Sequence, residues 1–178
     1  MDAVHFVHGV FAACLWCLRR VFIATPSGRS RYNVLGAIDA VTHDFISVCN
    51  TTYINAESVC LLLEKIALKH IQSTVPITLV LDNARYQHCR FVMNKAAERN
   101  MELLFLPSYS PNLNIIERLW KWTQKDCLNC KYYSNFVDFV DAISNSLQKV
   151  QNKENKKELD TQLVLNFQLY DNSIYDRA

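Results

Sequence analysis

The stretch Ile77-Thr78-Leu79-Val80-Leu81-Asp82-Asn83-Ala84-Arg85-Tyr86 decides how the rest of the chain is read. A short apolar run follows Pro76 and stops at an aspartate, the pattern of an inner parallel strand covered on both faces. A parallel neighbour needs a crossover, and the downstream sequence supplies one. His88 to Asn100 reads as a helix and Glu102 to Leu106 as a second strand. The Pro-rich loop Pro107 to Asn112 leads into a helix from Asn114 to about Leu128, and Phe136 to Val150 makes another. Upstream the pattern differs. Residues 2 to 8 alternate, with Asp2, Val4 and Phe6 on one face and Ala3, His5 and Val7 on the other. Phe11 to Ile23 reads as a second extended segment, Thr25 to Arg31 as a loop, Tyr32 to Ile38 as a buried strand and Phe45 to Tyr53 as its hairpin partner across the turn Asp39 to Asp44. An amphipathic helix follows from about Asn55 to Ile71, with Val59, Leu62, Leu63, Ile66 and Leu68 on or near one stripe. A meander followed by alternating strands and helices predicts a mixed sheet with helices on its faces.

The chain has 178 residues, 50% hydrophobic and 20% charged, with only 3 Gly and 4 Pro, which predicts one compact domain and excludes disorder or low complexity as a theme. The longest apolar run, Val10 to Leu18, ends at Arg19-Arg20, short of the ~20 residues a membrane helix needs. The first residues carry neither a basic region nor a cleavage signal, so the expected location is the cytoplasm. Seven cysteines are an odd number in a chain too large to need staples. Cys14/Cys17 and Cys127/Cys130 have chelate spacing, but strand residues three apart point to opposite faces, and buried free thiols are the preferred reading over a zinc site. A net charge of +2 gives no general footprint for nucleic acid, so any such contact must come from local clusters.

Three carboxylates stand where chemistry is usually placed in an α/β sheet: Asp2 in the first strand, Asp82 at the end of the inner strand and Glu117 in the first turns of a helix. Acids at the carboxyl ends of neighbouring strands converge at the edge where open sheets carry their sites. Unpaired carboxylates have little purpose in a core, because they repel and are costly to desolvate. With divalent cations between them they gain one: two ions about 4 Å apart clamp the attacking and leaving oxygens of a phosphoryl displacement. On spacing alone, Asp82-Asn83-Ala84 reads equally well as a polar turn, Glu117 pairs at i+4 with Lys121 as on a solvated face, and Asp39 and Asp44 compete with Asp2 for the first position.

The segments LVLDNARY (Leu79 to Tyr86) and LFLPSYSPNLNIIERLW (Leu104 to Trp120), with thirty-four residues between Asp82 and Glu117, closely resemble the catalytic domain of bacterial insertion-sequence transposases related to mariner, of the insertion-sequence 630 type. Further resemblance covers Asp2 to Phe6, Ser27 to Ala40 and Leu165 to Leu169. The resemblance implies a ribonuclease-H-like fold, here a mixed five-stranded sheet flanked by helices, with residues 1–152 as the endonuclease domain and 153–178 as a C-terminal tail. It also implies that Asp2, Asp82 and Glu117 bind two Mg²⁺ or Mn²⁺ ions for cleavage and joining of double-stranded DNA, at the element's terminal repeats and at the target. Asn83, Asn112 and Asn114 are candidate supports behind these ligands, with Asn114 also a candidate helix N-cap. Arg85, Arg90, Lys121 and Lys125 are candidate phosphate contacts, as are Arg29 and Arg31. His5 alternates away from Asp2, and Trp120 and Trp122 read as packing residues.

Transposases of this kind resemble two-part proteins with helix-turn-helix units ahead of the catalytic domain. The present sequence starts one residue before its first acid, which predicts a truncated first strand and a remnant or partial product with weak or no transposition activity. A homodimer or an association with full-length transposase is the expected partnership, with no membrane partner. The alternative classes are a stand-alone ribonuclease-H-like nuclease and a non-enzymatic protein that binds full-length transposase.

Overall fold

The computed structural model describes residues 1–9, 18–19, 22, 30–71, 75–107, 113–154 and 156–164. Three antiparallel strands form the first sheet: β1 (Asp2–Val7), β2 (Arg31–Ile38) and β3 (Phe45–Asn50), with β2 in the middle. The register pairs Asp2 with Gly36 and Phe6 with Tyr32 on one side, and Val34 with Cys49 and Ile38 with Phe45 on the other. Because β2 is paired on both edges and covered on both faces, Tyr32 to Ala37 is buried without alternation. Its buried amide, Asn33, is satisfied: the side chain meets His5 Nδ1 at 2.7 Å and donates to Asn50 Oδ1 at 2.9 Å. That contact turns His5 away from Asp2, as the alternation predicts.

The helix α1 (Ala56–Lys69) starts at a capping box, in which the Asn55 side chain accepts the Ser58 N–H and Ser58 Oγ accepts from the Asn55 backbone. Val59, Leu62, Leu63 and Ile66 are buried, but Leu68 is 67% exposed. Two residues on from Ile66 it has rotated by about 200°, off the stripe to which the pattern assigned it. The parallel pair β4 (Ile77–Leu81) and β5 (Met101–Phe105) follows, connected by a 3₁₀ turn (Arg85–Gln87) and α2 (Arg90–Glu98). The amphipathic helices α3 (Ile116–Cys127) and α4 (Phe136–Gln151) and the short α5 (Lys156–Gln162) complete the described chain.

The strands form sheets of three and two rather than the single five-stranded sheet expected. Among the described residues a backbone bond from Met1 N to Val80 O, at 2.7 Å, joins the two sheets, and no ladder forms between β1 and β4. β3 stops at Asn50, three residues earlier than the pattern suggested, because the Asn50 side chain accepts the Thr52 N–H and donates to the Tyr53 carbonyl, turning the chain out of the sheet. The expected strand Phe11 to Ile23, the loop residue Arg29, the pair Cys14/Cys17, Asn112 and the segment Leu165 to Leu169 lie outside the described residues, apart from Leu18, Arg19 and Phe22 in the first of these.

Two cores sandwich the first sheet. One face packs Phe6, Tyr32, Val34 and Phe45 against Ile116, Leu119, Trp120 and Trp122 of α3 and Phe139, Ile143 and Leu147 of α4. Leu159 and Leu163, from the stretch assigned to the tail, are buried in this same core. The other face packs Met1, Leu35, Ala37 and Val48 against α1, with Leu79, Leu81, Met101 and Val92 from the parallel pair and α2. Cys127 is buried in the first core, Cys60 in the second, and Cys130 is exposed. No helix among the described residues is long and apolar enough to cross a membrane.

Candidate active site

The junction of the two sheets brings Asp2 and Asp82 together, with Glu117 near enough to Asp82 for their charges to interact. Asp2 leads β1 on the face shared with Val4 and Phe6. Its Oδ1 accepts the Ala3 backbone N–H at 2.6 Å and its Oδ2 accepts the Trp120 indole N–H at 2.9 Å. Asp82 stands directly after β4, where Leu106 N–H donates to Leu81 O at 2.8 Å and so holds the strand end. The amide of Asn114 donates both to Asp82 Oδ1, at 3.0 Å, and to the Met1 carbonyl, at 3.2 Å. One buried side chain thus ties the end of β4 to the start of β1. Glu117 follows three residues later, in the first turn of α3.

The electrostatics report the same proximity. Burial and then the neighbouring Asp82 charge push the Asp2 carboxyl up to about 6, against the pull of its two N–H donors. Glu117 is raised as well, first by burial and then by Asp82, with Lys121 opposing. Burial raises the Tyr86 phenol, and the charges of Asp2 and Asp82 add to it. All three carboxylates therefore share one field, with Asp82 common to both pairs. Among the described residues neither aspartate has a Lys or Arg partner; their fixed donors are neutral N–H groups.

The competing aspartates are engaged elsewhere. Asp39 caps its own turn through the N–H groups of Val41 and Thr42, and Asp44 pairs with Lys69 and Lys153. Asn114 does not cap α3: Ile115 holds that position without a side-chain cap, and the Asn114 amide is committed to Asp82 and Met1. Asn83 is exposed in the turn after Asp82. Arg85, Arg90, Lys121 and Lys125 are exposed, as is Arg31 at the start of β2. Among the described residues no three His, Cys, Asp or Glu side chains stand in ready ligating geometry. The two aspartates face each other, and the half-exposed Glu117 is one step removed.

Trp120 is the feature that sequence reading missed. It is buried, as a packing residue should be, yet its N–H reaches Asp2. A signal was present in the three-residue spacing of Asn114, Glu117 and Trp120, which places all three toward one side of the start of α3.

An α/β domain with acids gathered at the carboxyl end of a parallel strand pair is the class that this fold and cluster define. Residues 18–140 match the model of the DDE superfamily endonucleases, and the chain belongs to that family. The matched span contains Asp82 and Glu117 and begins after Asp2. Among solved structures, the chain is similar to the Mos1 mariner paired end complex with Mn, with a TM-score of 0.59 and 12% identity over 96% of this chain and 55% of that one. It is also similar to the Mos1 transposase catalytic domain with Raltegravir and Mg, with a TM-score of 0.52 and 10% identity over 95% of this chain and 84% of that one. A third likeness is to a simian T-cell lymphotropic virus intasome in complex with the PP2A regulatory subunit B56 gamma, at a TM-score of 0.55 and 12% identity over 83% of this chain and 45% of that one. At such identities the likeness is one of fold. The chain spans about half the length of the chain in the Mos1 paired end complex, at 55%. No curated protein matches it by sequence.

Proposed function

We propose that this chain is the catalytic domain of a mariner-related insertion-sequence transposase, which cleaves and joins double-stranded DNA with divalent ions held by Asp2, Asp82 and Glu117. The observation that carries this reading is the field shared by three carboxylates whose two aspartates are oriented by neutral donors and have no Lys or Arg partner among the described residues, the nearby Met1 amino terminus being bonded to the Val80 carbonyl. Oxygen-only donors of this kind suit Mg²⁺ or Mn²⁺, and bound positive charge offsets both the burial and the Asp82 repulsion that raise Asp2. Glu117 has no side-chain donor holding it among the described residues, which leaves its carboxylate oxygens available to a cation.

When bound, a pair of such ions supplies Lewis acidity to the attacking and leaving oxygens of a phosphodiester. Asn114 holds the Asp82 carboxylate and Trp120 holds that of Asp2, each through a neutral N–H that leaves other oxygen lone pairs free. Water is the nucleophile for cleavage and the freed 3′-hydroxyl is the nucleophile for joining, with no covalent protein intermediate. Arg85, Arg90, Lys121 and Lys125 meet phosphates on the rim, and Asn83 supports Asp82 from the adjoining turn.

The test combines Mn²⁺ binding, read as loss of the free-ion paramagnetic resonance signal, with nicking of supercoiled plasmid. The reading requires Mn²⁺ binding and Mn²⁺-dependent nicking, both abolished in Asp82→Asn and strongly reduced in Glu117→Gln. Nicking that persists in a chelator or survives Asp82→Asn overturns it, as does a chain that binds no Mn²⁺.

A further inference from the structure

Asp2 receives two hydrogen bonds, and they differ in kind. The bond from the Ala3 N–H comes from the strand's own backbone and depends on no other residue's side chain. The bond from Trp120 is made across the molecule by a side chain 118 positions away. It is the one side-chain donor to Asp2 among the described residues. A neutral N–H fixes a carboxylate without cancelling its charge and occupies a single lone pair, which leaves the others free for a cation.

The space for this contact is specific. Trp120 stands edge-on to Phe45, with ring centroids 5.9 Å apart at 81°. Beneath it lies Gly36, the ladder partner of Asp2 itself. A Cβ at position 36 would fall 2.7 Å from Trp120 Cη2 and 2.7 Å from Phe45 Cε2. The residue opposite Asp2 is therefore the one whose missing side chain lets the indole slide under the strand pair. Trp120 also rides on α3 one turn beyond Glu117, so the bond couples the aim of Asp2 to the helix that carries the third acid.

We propose that Trp120 is a positioning residue for the acid cluster: its indole N–H, admitted by Gly36, sets the orientation of the Asp2 carboxylate for a divalent cation. The inference rests on the reading of the cluster as a cation site, and it predicts something that a core-filling tryptophan does not. A filler needs the ring and not the N–H.

The decisive variant is the full chain with Trp120 replaced by 3-benzothienylalanine, which keeps the bicyclic shape and puts sulfur in place of the N–H. Trp120→Phe is the simpler companion, and Trp122→Phe is the control for a buried tryptophan that makes no contact with the acids. Thermal midpoint and Mn²⁺ affinity, measured by paramagnetic resonance without DNA, are read on each, with Asp82→Asn in parallel. The benzothienyl chain is expected to lose ~2–4 °C, as for one hydrogen bond in a chain of this length, and to bind Mn²⁺ about 10- to 100-fold more weakly. Trp122→Phe is expected to lower the midpoint and leave Mn²⁺ affinity alone. Unchanged Mn²⁺ affinity in the benzothienyl chain, with binding lost in Asp82→Asn, overturns the positioning role while the cation site stands. Mn²⁺ binding that is indifferent to Asp82→Asn overturns the site and the inference together.

Discussion

The two cores on either side of the antiparallel sheet are made of different material. The one shared with α3 and α4 is rich in rings: Phe6, Tyr32, Phe45, Trp120, Trp122 and Phe139. The one shared with α1, α2 and the parallel strands has no aromatic residue among its buried members, which are Leu, Ile, Val, Met, Ala and Cys. The buried members of an aliphatic core can cover the back of a strand but carry no donor for a carboxylate, and the half-buried Tyr86 at its edge meets Asp2 and Asp82 only through their charge. An indole carries apolar bulk at one end and a donor at the other, so the aromatic core reaches into the acid cluster while staying dry. Packing and site geometry are one property on that face and two on the other.

The sharpest way to break this contrast is a matched pair of large-to-small substitutions. Leu119→Ala in the aromatic core and Leu63→Ala in the aliphatic core both remove fully buried side chains, and each is expected to cost about 2–5 kcal/mol in urea titrations. Only Leu119→Ala, next to Trp120 on α3, is expected to weaken Mn²⁺ binding as well. Equal losses of Mn²⁺ affinity from the two would dissolve the distinction.

Gly36→Ala comes next. Both clashes lie at 2.7 Å and involve rings rather than flexible chain ends, so an overpacking cost of about 1–3 kcal/mol is expected together with weaker Mn²⁺ binding. The buried thiols then report each core separately. Burial raises the Cys60 thiol and pushes Cys127 up to about 11, which leaves alkylation to wait for local opening. Leu119→Ala is expected to speed labelling of Cys127 more than of Cys60, and Leu63→Ala the reverse, as peptide mapping after timed alkylation would show.

The smallest effect concerns a residue that links both helical layers. Asp44 pairs with Lys69 at the end of α1 and with Lys153 beyond α4, at 3.0 and 2.7 Å, and these two ammonium groups hold its carboxyl below the ordinary value of 3.8. A depressed carboxyl contributes stability that is complete above its unfolded pKa and is lost as pH falls through the folded one. The two pairs are solvent-screened, so Asp44→Asn is expected to cost no more than about 1–2 kcal/mol at neutral pH. The difference from the unsubstituted chain should shrink below pH 4, and a difference that grew with acid would contradict the pairing.

Much of this arrangement was legible in the sequence, and the reasons are local. The run before Asp82 read as an inner strand covered on both faces; it is a strand, but it pairs only with β5 and buries Leu79 and Leu81 on one face while Thr78 on the other is exposed, whereas alternation alone placed Asp2 with Val4 and Phe6 and turned His5 away. The apolar periodicity from about Asn55 and from Phe136 gave helix starts that the structure keeps. What stayed hidden depends on through-space partners. The Asn114 amide looked like a cap because its spacing fits one, and nothing nearby in sequence reveals that Asp82 and Met1 draw it away. Trp120 looked like packing because it is packing, and its polar atom found a partner over a hundred residues distant. The split of the strands into three and two was equally out of reach, since periodicity says which segments extend but not how far two of them run side by side.

The pairing of Asp2 with Gly36 has one more consequence. Side chains along a strand change sides at every step, so sliding β1 by a single position against β2 would carry the aspartate over to the greasy aliphatic side and set Ala3 in its place. Such a molecule would keep its outline and most of its hydrogen bonds, yet it would be chemically silent. For this chain, faithful alignment during folding is the step that creates the capacity to react.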